Sequence, residues 1–122
     1  MNERYITSYV HNHRIGVLIE LETLPVFVTR TEAFHTLAHE ICLQVIAIDP
    51  LRFDRDYELM LDADRHALEI DELLNDPFVE APERSMRDRI HEIEEILSAP
   101  IKLNRLVRME SKPNYGNPDE QL

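Results

Sequence analysis

From Arg14 to Ile48 the apolar residues change period once, and the change falls at Pro25. Before it, Ile15, Val17, Ile19 and Leu21 alternate with Gly16, Leu18, Glu20 and Glu22, the period-two pattern of a strand with one apolar face. Pro25 has no N–H to give to a ladder and ends the strand. Beyond it, Phe34, Leu37, Ala38, Ile41, Val45 and Ile48 recur at the spacing of one face of an amphipathic helix. Thr31 is placed to cap that helix, but Phe34 stands three residues on, so no capping box is expected. A strand, a short apolar elbow and a long helix in immediate succession can bury their apolar faces only by folding the helix back over the strand.

The flanking segments extend that unit. Residues 4–11 put Tyr5, Thr7 and Tyr9 on one side and Ile6, Ser8 and Val10 on the other, a short strand joined to the next through Asn12 and His13. Gly16 suggests a bulge or a close backbone approach. The long helix is expected to stop at Asp49-Pro50, because the residue before a proline is pushed out of the helical region. Residues 51–75 carry Tyr57, Met60, Leu61, Leu68 and Leu73, predicting one or two helices with a break near Asp62 to Asp64. Asn75-Asp76-Pro77 is a stop, and Phe78 with Val79 reads as a short buried segment. Pro82 and Ser85 lead into a helix with Met86, Ile90, Ile93 and Leu97 on one stripe, ended by Pro100. Residues 101–110 alternate again, with Ile101, Leu103, Arg105, Val107 and Met109 on one side, predicting a third strand.

Residues 1–111 therefore predict one α+β domain. Its sheet is small, three-stranded and antiparallel, in the order strand, strand, helices, strand, with helices packed on one face. Residues 112–122, with two prolines and a glycine among polar side chains, read as a disordered tail. Leu18 and Ile19 point to opposite sides of the sheet, as do Leu106 and Val107, so both faces are apolar. The second face needs a cover, and a homodimer is the natural one for so small a chain.

Composition narrows the function. The 122 residues carry 24 acids against 13 lysines and arginines, a net charge of −11, which repels a phosphate backbone and argues against direct nucleic-acid binding. Residues 54–95 hold fifteen acids against five arginines, so they account for −10 of that charge. Such a run reads first as a solvated outer face and second as a docking surface for a basic partner. The single cysteine, Cys42, allows no internal disulfide and suits a reducing, cytoplasmic setting. No signal peptide and no apolar run near the ~20 residues of a membrane span is visible.

Catalytic readings find little support. His35 and His39 lie one helical turn apart, as in zinc metalloproteases, but Thr36 occupies the place of the catalytic glutamate and no third ligand presents itself, so no metal is expected. His11-Asn12-His13 matches only the letters of a nuclease motif. Cys42 falls on the apolar side of its helix, as a small core residue does. With only Gly16 and Gly116 there is no glycine-rich phosphate loop, and no nucleophile stands beside a base. Neither an enzyme nor a cofactor is expected.

The residues themselves resemble the dimerisation domain of elongation factor Ts. Tyr9-Val10-His11 followed by residues 14–21, Arg-Ile-Gly-Val-Leu-Ile-Glu-Leu, is similar to that family's Tyr-Ile-His and Arg-Ile-Gly-Val-Leu-Val-Glu strand pair. Phe27-Val28-Thr29-Arg30 resembles its Phe-Val-Ala-Arg, and Ile48-Asp49-Pro50 stands at its Met-Asn-Pro helix stop. Residues 73–79 resemble Leu-Leu-Glu-Gln-Pro-Phe-Val, and residues 104–110 resemble Arg-Arg-Phe-Val-Arg-Phe-Glu. The blocks run in order from about Tyr5 to Ser111.

The resemblance implies a partner, elongation factor Tu, and an action, release of its GDP by favouring the nucleotide-free state, with no covalent step. In the family, an Asp-Phe pair within Thr-Asp-Phe-Val wedges into the nucleotide domain, and the Tyr-x-His histidine faces the third domain. Carried over, the partner-binding residues are Val26, Phe27, Val28 and His11. Two departures stand out: Val26 replaces the acid, and the family's N-terminal helical module has no counterpart in this sequence. Binding to elongation factor Tu with weak exchange is the expectation. The alternative is an assembly domain that kept the fold and dimerises but lost exchange activity.

Overall fold

Two nine-residue strands open the chain in a computed structural model that describes residues 2–48 and 62–111, with side chains in the second segment described from residue 69. Strand β1 (Glu3–His11) pairs antiparallel with β2 (Ile15–Thr23), in register from Glu3 opposite Thr23 to His11 opposite Ile15. Asn12 and His13 make the turn with φ of 52° and 59°, the left-handed conformation a tight hairpin requires. The Arg14 N–H closes it on the His11 carbonyl at 3.0 Å.

After β2 a 3-10 turn (Val26–Arg30) leads to helix α1 (Glu32–Ala47). Thr31 caps the helix by accepting the Phe34 N–H at 3.2 Å. Ile48 is already extended, at φ −69° and ψ 144°, so α1 ends just ahead of Asp49-Pro50. Those two residues lie outside the described residues, as do 51–61 of the next expected helical stretch. Helix α2 spans Asp62–Asn75 and stops at the predicted proline. Helix α3 (Met86–Leu97) follows, then strand β5 (Ile101–Glu110), which returns beside β2 and gives the sheet order β1-β2-β5. The expected tail from 112 lies outside the described residues.

The core lies between one sheet face and the helices. Val17, Ile19 and Leu21 are buried against Phe34, Leu37, Ile41 and Val45 of α1. Arg108 ties β5 to the end of α1: its Nε and Nη2 donate to the Val45 and Ile46 carbonyls of the last helical turn at 3.2 and 3.3 Å.

Several expectations change. Gly16 pairs regularly with Val10 and Met109, and a Cβ there would meet nothing within 4 Å, so it marks neither a bulge nor a close approach. The irregularity falls instead between Glu20 and Leu21, opposite Asn104. That extra residue breaks the alternation expected of β5: Ile101, Leu103 and Leu106 turn to the core, while Arg105, Val107 and Met109 turn out. Phe78 is buried but Val79 is exposed. A two-stranded hairpin, β3 (Pro77–Phe78) with β4 (Ala81–Ser85), lies where only a short segment was expected.

Candidate partner-binding surface

Pro25 lacks the N–H to extend β2, and the chain turns away at once. Thr23, the last residue of the strand, donates its hydroxyl to the Pro100 carbonyl at 2.7 Å, so the elbow leaves a point pinned to the start of β5. Within the turn, the Val28 N–H donates to the Pro25 carbonyl and the Thr31 N–H to the Val28 carbonyl, each at 3.1 Å. Val28 is fully buried in the core cluster. Its two predecessors face the other way: Val26 is 44% exposed and Phe27 57%. With Leu24 and Pro25, also exposed, they form an uncharged apolar knuckle on a turn held from beneath.

His11 is not brought to that knuckle. It ends β1 beside the hairpin turn, whereas the elbow leaves the opposite end of β2, roughly 26 Å away along a strand rising ~3.3 Å per residue. Its Nδ1 lies 3.3 Å from the Tyr9 hydroxyl. Tyr9 also meets the His39 ring edge-on at 5.2 Å, and Tyr5 meets His35 at 5.6 Å. His35 and His39, the pair with zinc-like spacing, are thus packed at the rim of two tyrosines. No group of three metal-binding side chains is gathered among the described residues.

The outer face of the sheet is a second surface. Ile6, Val10, Leu18, Val107 and Met109 are exposed there. Beside them Glu20 accepts from Arg105 Nη2 at 2.9 Å, and that bond holds the Glu20 carboxyl below the ordinary carboxylate value against the opposing effect of burial. Asn104, the bulge residue, donates to Glu22 at 2.8 Å.

The sequence reading missed a buried polar pair on α1, Glu40 and Gln44. Glu40 lies on the core side of α1 and accepts from Arg89 Nη2 at 2.8 Å and from its Nε at 3.2 Å. One turn on, Gln44 donates to the Pro77 carbonyl at 2.8 Å and accepts the Val79 N–H at 3.0 Å. The i, i+4 spacing of two polar residues beside an apolar stripe was the available signal. These residues clamp α3 and β3 to α1 and leave the knuckle free.

Over most of its length the sequence aligns with curated proteins named elongation factor Ts. That of Thermodesulfovibrio yellowstonii is 28% identical, with 88% of this chain and 68% of the relative aligned. That of Thermoanaerobacter sp. is 26% identical over 89% of the chain and 68% of the relative. A shorter stretch, 45% of the chain, reaches 45% identity with the protein of Petrotoga mobilis. The chain is similar to elongation factor Ts. No family model matches it. The α+β sheet with its helices agrees with an elongation factor Ts dimerisation-domain-like fold. Among the described residues no helix is long and apolar enough to cross a membrane.

Proposed function

We propose that this chain binds elongation factor Tu through the knuckle at Val26 and Phe27 and acts weakly in guanine nucleotide exchange during translation elongation. The observation that carries the reading is Phe27, an aromatic ring 57% exposed on a turn whose backbone is fixed at both ends. Aromatic anchors of this kind supply much of the binding energy of protein interfaces once a partner covers them. Val28 serves from the core, holding the turn from beneath. His11, at the far end of the hairpin, meets a different part of the partner, which suits a protein of several domains.

Exchange requires that the bound partner prefer its nucleotide-free state. Val26 offers an isopropyl group where the family's carboxylate would perturb the magnesium ion that the partner holds with its nucleotide, so binding energy is available but that lever is missing. Release of GDP should accelerate only modestly. The same reading includes a homodimer in which two outer sheet faces cover Leu18, Val107 and Met109. That exposed face also favours the second reading, an assembly domain that dimerises without engaging elongation factor Tu.

Stopped-flow release of a fluorescent GDP analogue tests the proposal. A small acceleration by the wild-type chain, made larger by Val26→Asp, is the expected result. No binding and no acceleration by either protein would leave the assembly reading in its place.

A further inference from the structure

The 3-10 turn that presents Phe27 begins at Pro25 with no side-chain cap. Its far end is held by Thr31, whose N–H and Oγ1 both donate to the Val28 carbonyl, at 3.1 and 2.8 Å. At its near end the Val28 N–H lies on the Pro25 carbonyl, and the Thr29 side chain donates from its Oγ1 to the Val26 carbonyl at 2.9 Å. That carbonyl belongs to the peptide unit joining Val26 to Phe27, so the hydroxyl fixes ψ of the first and φ of the second. Thr29 is itself buried, and water competes poorly for the bond. Val26 and Phe27 are exposed and gain little orientation from packing.

We propose that Thr29 is a positioning residue for Phe27: its hydroxyl locks the Val26–Phe27 peptide and so sets the direction in which the exposed ring meets its partner. The inference rests on reading Phe27 as the contact to elongation factor Tu. A ring already held in its binding direction associates without the cost of ordering a loose turn, which is how rigid anchors gain affinity.

Two substitutions separate the hydroxyl from the shape of the residue. Thr29→Val removes the donor with little change of outline, and Thr29→Ser keeps the donor. Each is titrated into GDP-bound elongation factor Tu, with binding referred to the folded fraction, and amide hydrogen exchange at Val28 and Thr31 is measured on the free chain. The expected result is about fivefold weaker binding by Thr29→Val, from the loss of one hydrogen bond, with Thr29→Ser close to wild type. Exchange should quicken at Val28, beside the lost bond, and stay unchanged at Thr31, which a general loosening of the fold would not produce. Equal affinities of Thr29→Val and wild type, or Thr29→Ser as weak as Thr29→Val, would overturn the proposal. Should the wild-type chain not bind elongation factor Tu, the reading of Phe27 fails. The exchange rates then judge the lock by themselves: faster Val28 exchange in Thr29→Val upholds it, and unchanged exchange overturns it.

Discussion

Phe27 and Val28 are adjacent and meet opposite environments, and the elbow's behaviour follows from that difference. Val28 has no exposed surface, so Val28→Ala removes two buried methyl groups and should cost about 2 kcal/mol of folding stability in chemical denaturation. A loss under half a unit would mean that the turn is not anchored as described. Cys42 offers a second residue-level test, because it is the sole thiol and is buried. Burial pushes its pKa up to about 11, so almost no thiolate exists at neutral pH. A thiol reagent should label the native chain slowly and the denatured chain at the rate of a free cysteine; equal rates would contradict the packing of α1. Of these residues, Thr31 and Cys42 were legible from periodicity and position alone. The split between Phe27 and Val28 was not, because a five-residue 3-10 turn shows too few turns for a period to emerge.

At the scale of the elements, the bulge opposite Glu20 decides which side chains of β5 reach the core. The alternation of residues 101–110 predicted a strand but carried it through Asn104 unbroken. A bulge is a property of two paired strands, and its position depends on which residues of β2 stand opposite, so one strand's pattern does not reveal it. The β3–β4 hairpin escaped for another reason: a two-residue strand beginning with proline has no alternation to read. The strand and the long helix, by contrast, were legible because each apolar period continued for several repeats. The Glu20–Arg105 pair beside the bulge makes stability depend on pH. The folded-state pKa of Glu20 lies below its ordinary value of 4.5, chiefly through the hydrogen bond from Arg105. Its contribution is therefore complete above that value and is lost as pH falls through the depressed pKa. Glu20→Gln should flatten the acid limb of a stability–pH curve below about pH 4.5, and an unchanged limb would remove this pair as a cause. Between helices, Glu40→Ala removes the buried carboxylate and leaves Arg89 its bond to Glu92 on the same helix, and should cost about 2 kcal/mol in denaturation. Pairing it with Arg89→Ala should cost less than the sum of the two single changes, because both remove the same pair.

At the scale of the molecule, the outer sheet face and the knuckle are apolar surfaces of the described residues that point away from the core. The first predicts a dimer by light scattering at tens of micromolar, reduced to a monomer by Leu18→Glu, which sets like charges facing each other across the interface. A monomeric wild-type chain would mean that the outer face tolerates water. The knuckle carries the central claim, and one substitution tests it. Phe27→Ala is compared with wild type by thermal melting and by titration into GDP-bound elongation factor Tu. Because the ring is exposed, the account predicts a nearly unchanged melting temperature together with a loss of about 2 kcal/mol or more in binding. A mutant that melts several degrees lower while its folded fraction binds elongation factor Tu as well as wild type would contradict it, since Phe27 would then support the fold and not the contact.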